Sequence, residues 1–322
     1  MQYVPLKPTL YRHPHGITAI DTEYLYPGHA AAHLIVDAGS AAFVDVGPNS
    51  SVPYLLGALD ELGIARDAVD YVLLTHVHLD HAGGAGALLR ELPRARALLH
   101  PRGAPHMIDP TRLIAGSQAV YGAARFHRLY GELLPIPAER VQVVADGERV
   151  RLGGRTLELI HVEGHARHHY AVVDAAHASI FSGDTFGISY RALDTGKGAF
   201  ITPSTVPTQF DPDAHLASID RMLQFGPESV YLMHFSRVTD VPRLGAQLKE
   251  QIAELAAIAR SHAGHPERAG RIRADMLALW LARARAHGCQ LTDAQIEHAL
   301  RGDLTLNTQG LIAWLTRGKE HT

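Results

Sequence analysis

Short apolar runs recur through the first two thirds of the chain, and their lengths are typical of buried strands. The predicted strands are 18–26, 33–36, 41–46, 71–75, 95–99, 141–144, 150–152, 156–162, 170–173, 179–181 and 229–233. Helical spacing of apolar residues separates several of them, at 52–62, which stops at Gly63, and at 85–92. This alternation predicts an α/β fold of two half-sheets, each flanked by helices.

The pattern changes near residue 241, where strand signals give way to helical spacing. Apolar residues at positions 244, 248, 252, 255 and 258 predict one amphipathic helix, and those at 272–281 predict a second that breaks at Gly288. Two shorter helices are predicted at 293–300 and 308–315. We therefore expect a main domain at residues 1–241 and a helical C-terminal extension at residues 242–322.

Composition places the chain among ordinary globular proteins. It has 322 residues, of which 46% are hydrophobic and 20% are charged. The formal net charge of −3 provides no basic surplus, so we expect no nucleic-acid partner. A single cysteine, Cys289, excludes an intramolecular disulfide framework and is interpreted as a packing residue.

Hydropathy also bears on the cellular location. No apolar stretch approaches the roughly 20 residues that span a bilayer. The first residues, 1–7, lack the charged and then apolar layout of a signal peptide. The expectation is therefore a cytoplasmic protein with no membrane partner.

The strongest chemical signal is the segment Thr75-His76-Val77-His78-Leu79-Asp80-His81, which directly follows an apolar strand. Three histidines and a carboxylate this close together are costly to desolvate unless they bind a cation. In an extended chain His76, His78 and Asp80 would share one face, and a turn at 80–81 would direct His81 to a second ion. Zinc, iron and manganese all accept such ligands. The alternative is a solvated, histidine-rich strand end.

Further candidate ligands follow other predicted strands. His165 lies beyond the strand at 156–162, Asp184 beyond 179–181 and His234 beyond 229–233. Taken singly, each has an ordinary interpretation as a surface histidine or a turn-capping aspartate. Taken together, they lie where α/β sheets present reactive side chains.

These motifs resemble the metallo-β-lactamase-fold hydrolase superfamily over about residues 15–240. The matching stretches are Phe43-Val44-Asp45-Val46-Gly47, 76–81, Gly164-His165, Gly183-Asp184 and Leu232-Met233-His234. The resemblance implies an αββα sandwich, with residues 1–241 as its catalytic domain. It further implies that His76, His78 and His165 bind one metal, that Asp80, His81 and His234 bind another, and that Asp184 bridges the two.

The residue chemistry indicates hydrolysis. Seven ligands with one shared carboxylate leave each of two divalent ions an open position for a bridging water, which becomes a hydroxide nucleophile near neutral pH. Asp80 can hold this water and later carry a proton to the leaving group. We expect a small-molecule substrate containing an ester, lactone or thioester bond. Zinc is the favoured metal, with iron and manganese as alternatives.

Four positions near these motifs have predicted roles, two of them with an ordinary alternative. The hydroxyl of Tyr190 could stabilise an oxyanion, or the residue could be half-buried beside the site. Asp45 is expected to hydrogen-bond a ligating imidazole or a nearby backbone turn. His168 and His169 could support the ligands, although for His168 the favoured interpretation is an exposed strand-start residue.

Larger elements also leave alternatives. The segment 107–135 could arch over the cleft as a lid or pack only on the flank of the domain. The C-terminal helices could pack beside the cleft or form a homodimer, and a helix-turn-helix is a weaker interpretation.

Two other functions stay open beside the hydrolase. One is a metal-bearing regulatory or binding protein with weak hydrolase activity, and the other is an iron-dependent dioxygenase of the same superfamily. Glutathione thioester hydrolases of this superfamily usually follow the last ligand histidine with an acidic-aromatic pair. This chain has Phe235-Ser236-Arg237 after His234, which weakens the thioesterase interpretation.

Overall fold

The computed structural model describes residues 3–206 and 209–319 and contains two mixed sheets packed face to face. The first sheet has strand order β1-β2-β3-β4-β5-β6-β7. Strands β1 to β4 pair antiparallel, and β4 to β7 pair parallel. Its strands are β1 Leu10–Arg12, β2 Ile17–Asp21, β3 Ala31–Asp37, β4 Ser40–Val44, β5 Val69–Leu73, β6 Arg96–Leu99 and β7 Val141–Val143.

The second sheet has strand order β13-β12-β11-β10-β9-β8. Only β11 and β12 are parallel; the other neighbours pair antiparallel. Its strands are β8 Glu148–Leu152, β9 Arg155–His161, β10 Tyr170–Asp174, β11 Ser179–Gly183, β12 Ser229–Leu232 and β13 Ser236–Val238.

Helices cover the outer faces of both sheets. The α-helices are α1 Val52–Leu62, α2 Leu79–Ala82, α3 Ala85–Glu91, α4 Ala104–Ile108, α5 Thr111–Tyr121, α6 Ala123–Tyr130, α7 Pro212–Leu223, α8 Val241–Ser261, α9 Arg268–His287, α10 Asp293–Ala299 and α11 Arg301–Lys319. Single-turn 3-10 helices lie at Asn49–Ser51, Arg66–Ala68, Ala138–Arg140, Ala175–His177 and Arg191–Leu193. The architecture is the expected αββα sandwich followed by C-terminal helices.

Three apolar cores hold these layers together. Between the sheets, Ile35 and Leu98 from the first pack with Leu159 and Phe181 from the second. The outer face of the first sheet packs on α1 and α3, and that of the second packs on α7, α8, α9 and α11. The C-terminal helices therefore share a core with the second sheet. Helix α8 begins at the boundary that the sequence predicts, but the division into domains 1–241 and 242–322 stays a prediction.

Most predicted elements are confirmed within one or two residues, but the strand 18–26 is wrong in its second half. Strand β2 ends at Asp21, whose carboxylate accepts hydrogen bonds from the backbone N–H of Glu23 at 3.0 Å and of Gly28 at 2.7 Å. Glu23 and Leu25 have positive φ, which a strand does not allow. A local turn thus replaces the apolar end of the predicted strand.

The last helix was predicted at 308–315 but spans Arg301–Lys319. Glycines and threonines in this stretch lower its intrinsic helix propensity and obscure its start, while packing of Leu304 and Leu311 into the core stabilises it. Strands β1 and β13 and helix α7 were not predicted. Within residues 3–206 and 209–319, no helix combines the length and the hydropathy needed to cross a bilayer.

Candidate metal centre

The histidine-rich segment leaves the first sheet where β5 ends at Leu73. Residues 74–78 continue without regular structure, and His78 precedes the first turn of α2. Asp80 and His81 therefore lie on a helix, so the predicted extended face shared by His76, His78 and Asp80 is wrong. A Cβ on Gly84 would lie 2.8 Å from the carbonyl oxygen of Pro48, which explains why glycine follows this helix.

Three imidazoles converge in the first group, which we call subsite A: His76, His78 and His165. The Nδ1 atom of His78 lies 2.9 Å from Nε2 of His76 and 3.1 Å from Nε2 of His165. The Nδ1 atom of His165 lies 3.1 Å from the carbonyl oxygen of Ser204, to which it donates. This hydrogen bond leaves the lone pair of Nε2 directed at the group, as metal ligation requires.

The second group, subsite B, combines Asp80, His81 and His234. Oδ2 of Asp80 lies 3.4 Å from Nε2 of His234 and 3.8 Å from Nε2 of His81. The other ring nitrogens are fixed by donation: Nδ1 of His81 to Asp45 at 3.0 Å, and Nδ1 of His234 to the carbonyl oxygen of His29 at 2.9 Å. Both Nε2 atoms therefore face the group, where a cation could take the place of a proton.

Asp184 lies between the subsites. Its Oδ1 is 3.2 Å from Nε2 of His81, and its Oδ2 is 3.6 Å from Nε2 of His165. The two oxygens of one carboxylate thus face different subsites. A Cβ on the preceding residue, Gly183, would come within 2.6 Å of Nε2 of His169, so only glycine fits where the chain turns toward the site.

The donor set fits a pair of divalent cations. Nε2 of His81 and Oδ1 of Asp184 are buried 3.2 Å from each other, and neither makes a hydrogen bond of acceptable geometry with the residues that the structure describes. Buried polar atoms are rarely left in this state unless water or an ion satisfies them. Imidazole nitrogens with ionised carboxylate oxygens are the ligands that zinc, iron and manganese accept.

Electrostatics favours the ligand forms in subsite A. Burial lowers the pKa of His165 to about 3 and the pKa of His76 well below its usual range, so both imidazoles are neutral. Burial by itself raises the pKa of Asp184, but His81 and His234 more than reverse this and hold it well below its usual range. The carboxylate of Asp184 is therefore ionised.

The predicted hydrogen bond between Asp45 and an imidazole of the site is confirmed. Asp45 accepts from Nδ1 of His81 and also from the backbone N–H of Thr75 at 2.9 Å and the Thr75 hydroxyl at 2.8 Å. The buried carboxylate is therefore satisfied on both sides. Thr75 was not singled out in the sequence, although its place directly before the first ligand histidine could have indicated this role.

His168 and His169 both lie against the ligands. The ring of His169 stacks on that of His76 at a centroid distance of 4.6 Å, and its Nε2 accepts from the backbone N–H of Asp184 at 3.3 Å. His168 is buried, and its Nδ1 lies 3.5 Å from the backbone nitrogen of Val77. The interpretation of His168 as an exposed strand-start residue is wrong.

Tyr190 is buried rather than half-exposed. Its ring stacks on that of His29 at 5.5 Å, and its hydroxyl donates to Oδ1 of Asp303 on α11 at 3.4 Å. Burial raises the pKa of Tyr190 well above its usual range, and the charge of Asp303 adds to this. The hydroxyl is therefore a neutral donor, and its role toward a substrate stays a prediction.

The segment 107–135 contributes helices α5 and α6 near subsite B. Phe126 and Tyr130 of α6 form an apolar cluster with Leu79 and Met233, the chain neighbours of two subsite B ligands. The hydroxyls of Tyr130 and Tyr24 are 3.1 Å apart. The segment thus packs beside the site, and its movement as a lid stays a prediction.

The backbone carbonyls of His29 and Ser204 were also missed in the sequence. Each orients a ligand histidine, yet a main-chain oxygen has no sequence motif, so only the folded chain reveals the role.

The fold and the site together define the class of this protein. The family model of the metallo-beta-lactamase superfamily matches residues 25–234, and the chain belongs to this superfamily. A beta-lactamase domain protein from Burkholderia ambifaria superposes with a TM-score of 0.65 at 19% identity, covering 97% of this chain and 91% of that one. An archaeal superfamily protein from Sulfolobus tokodaii gives a TM-score of 0.60 at 24% identity, covering 76% and 87%. At these identities the structures show the fold alone.

Sequence relatives give finer comparisons. A metallo-beta-lactamase fold-containing protein of Sulfurisphaera tokodaii is 26% identical over 68% of this chain and 77% of its own length. Hydroxyacylglutathione hydrolases are 34% identical in Aeromonas hydrophila, over 52% of this chain, and 35% identical in Stenotrophomonas maltophilia, over 59%. The matches span 48% and 54% of these two hydrolases, about half their length.

Proposed function

We propose that this chain is a dinuclear metal-dependent hydrolase that cleaves an ester, lactone or thioester bond in a small organic substrate. The observation that carries the proposal is the position of Asp184, whose two carboxylate oxygens face the two histidine groups. The family and the hydrolase relatives support the same class of reaction.

One metal ion would be held by the subsite A residues His76, His78 and His165. The other would be held by the subsite B residues Asp80, His81 and His234, and both ions would contact Asp184. When bound, two divalent ions lower the pKa of a shared water and polarise a substrate carbonyl oxygen. Zinc is the ion that we propose, because the ligands are imidazoles and carboxylates; iron and manganese accept the same ligands.

Asp80 would move the proton. Its side chain is 23% exposed, whereas the side chain of His81 is fully buried. A carboxylate that both faces subsite B and reaches solvent can take a proton from the attacking water and release it to the leaving group.

Tyr190 would donate to the oxygen on which negative charge develops. Its neutral hydroxyl is buried next to His29, whose carbonyl orients His234. To reach a substrate, the hydroxyl would exchange the long 3.4 Å contact with Asp303 for a shorter one.

Thioesters remain in the proposal because of the hydroxyacylglutathione hydrolase relatives. Glutathione thioester hydrolases usually have an acidic-aromatic pair after the last ligand histidine, whereas this chain has Phe235-Ser236-Arg237. This difference favours esters and lactones over thioesters as substrates. A cytoplasmic location and a homodimer also stay predictions.

A substrate panel tests the proposal. Zinc-loaded protein should turn over at least one class among activated esters, lactones and acyl thioesters; a chelator should abolish turnover, and added zinc should restore it. The exposed Asp213 on α7 offers a control, since Asp213→Ala removes a surface carboxylate that is none of the seven candidate ligands. Protein that binds its metals but cleaves none of the three classes would instead support the regulatory or binding alternative.

A further inference from the structure

Helix α11 carries polar side chains that are buried rather than exposed. Asp303, Asn307 and Thr308 lie on this helix among the apolar residues that join the core of the second sheet. Burial of a polar group lowers stability unless it is hydrogen-bonded. The partners of these side chains therefore reveal what the helix holds in place.

Asn307 is bonded on both ends of its carboxamide to the loop at 203–205. Its Oδ1 accepts from the backbone N–H of Thr205 at 2.8 Å, and its Nδ2 donates to the carbonyl oxygen of Pro203 at 2.8 Å. The Thr205 hydroxyl also donates to the backbone oxygen of Asn307 at 3.2 Å. The two hydrogen bonds of the Asn307 side chain thus fix the peptide units on either side of Ser204, and the third anchors the side chain of Thr205.

Ser204 is the residue whose carbonyl oxygen accepts from Nδ1 of His165 at 3.1 Å. That hydrogen bond sets the tautomer and the ring orientation of a subsite A ligand. Asn307 therefore acts on His165 through a single intervening loop residue, although 142 positions separate the two in sequence.

Gly310 allows the helix to come this close. A Cβ at position 310 would lie 1.5 Å from the carbonyl oxygen of Thr205, a distance that no side chain can occupy. Glycine one turn after Asn307 is therefore required for the contact between α11 and the loop.

A second contact runs from the same helix toward subsite B. Asp303 accepts from the hydroxyl of Tyr190, Tyr190 stacks on His29, and the carbonyl of His29 accepts from Nδ1 of the ligand His234. Helix α11 is thus connected to the residues that orient one histidine of each subsite, His165 in subsite A and His234 in subsite B.

We propose that α11 is a positioning element of the metal centre, in which Asn307 holds the Ser204 carbonyl that orients His165. The C-terminal helices would then be part of the site and not only a cover for the second sheet. This inference rests on the proposed metal centre and does not depend on turnover.

Zinc affinity of subsite A tests the proposal. It is measured by chelator competition in the full chain carrying His234→Ala, which removes a ligand of subsite B only. Asn307→Ala should weaken this affinity by about ten- to a hundredfold, the range known for loss of an outer-shell partner of a metal ligand. Asn307→Asp, which keeps the acceptor for Thr205, should recover part of the loss.

Thr308→Val is the matched control. Thr308 is buried on the same helix, but its hydroxyl donates to Leu304 within the helix. This variant also removes a buried side-chain hydrogen bond of α11, so a general loss of helix stability would weaken zinc binding in both variants. Equal zinc affinities of Asn307→Ala and Thr308→Val would overturn the proposal. Absence of zinc binding in the His234→Ala parent would also overturn it, because the metal centre itself would then be missing. A chain that binds zinc but has no turnover would refute only the proposed hydrolase function.

Discussion

The two subsites use similar side chains in different electrostatic settings. Burial lowers the pKa of each subsite A histidine, so that three neutral imidazoles face one another. In subsite B burial acts in the same direction, but the carboxylates of Asp184, Asp45 and Asp80 raise the pKa of His81 well above its usual range. Subsite A is therefore ready to accept a cation at neutral pH, whereas in subsite B a cation must replace protons.

The contacts from α11 differ in the same way. Helix α11 contacts the loop that supports subsite A through the amide of Asn307, which is neutral and cannot titrate. It contacts Tyr190, on the side of subsite B, through the carboxyl group of Asp303. If the proposed metal centre is correct, subsite A would supply fixed binding and subsite B, with its partly exposed Asp80, would supply proton transfer. The following predictions test this division.

Asp80→Asn should produce the largest loss. If subsite B moves the proton, turnover should fall by about two orders of magnitude or more, while the ion of subsite A stays bound. Rates are compared at measured metal content with those of Asp213→Ala. Near wild-type turnover in a fully metal-loaded Asp80→Asn variant would show that Asp80 does not transfer the proton.

Tyr190→Phe should have a smaller effect on the rate. Loss of one donor to a developing oxyanion is expected to lower kcat by about tenfold or more, with metal content unchanged, because the phenyl ring keeps the stacking on His29. Steady-state kinetics and elemental analysis check both parts. An unaltered kcat would leave Tyr190 as a packing residue and the metal centre intact.

Asp303 should give the smallest effect, on stability rather than rate. Burial raises the pKa of Asp303 from its ordinary 3.8 to about 6. The folded chain holds this proton more tightly than the unfolded chain does. The contribution of the Asp303 carboxyl group to stability is therefore fully present below pH 3.8 and is lost as the pH rises through about 6.

Urea unfolding at pH 5 and pH 7 measures this effect. The free energy of unfolding of the wild type should drop relative to that of Asp303→Asn by about 1 kcal/mol or more across this interval. Asp213→Asn, at an exposed residue of α7, controls for the general titration of the protein. Parallel pH profiles of wild type and Asp303→Asn would contradict the prediction.

Local sequence patterns predict the candidate ligands because most of them are concentrated in one segment, whereas their division between two metals was implied only by the family resemblance. Four of the seven ligands fall in one heptapeptide after an apolar strand, and the other three follow strands of their own. The helix at 52–62 was found because its periodicity ends at Gly63, which has positive φ. Such signals lie within a few residues of one another and need no tertiary information.

The parts that the sequence did not predict depend on long-range contacts. Asn307 and Asp303 resemble any polar residues of an amphipathic helix until the chain brings them against residues more than 100 positions away. Asp80 was placed on the wrong element because a helix starts at Leu79 where extended chain was expected. Long-range hydrogen bonds and the start of a short helix leave little trace in hydrophobic periodicity.

The central claim is that Asp184 joins two metal sites, and the number of zinc ions bound per chain tests it most directly. Untagged wild-type protein analysed by elemental analysis should hold about two ions per chain. Asp184→Ala should weaken binding of both ions and fall clearly below this number after dialysis, whereas Asp213→Ala should keep it. One ion per wild-type chain, with Asp184→Ala still fully loaded, would contradict the dinuclear centre.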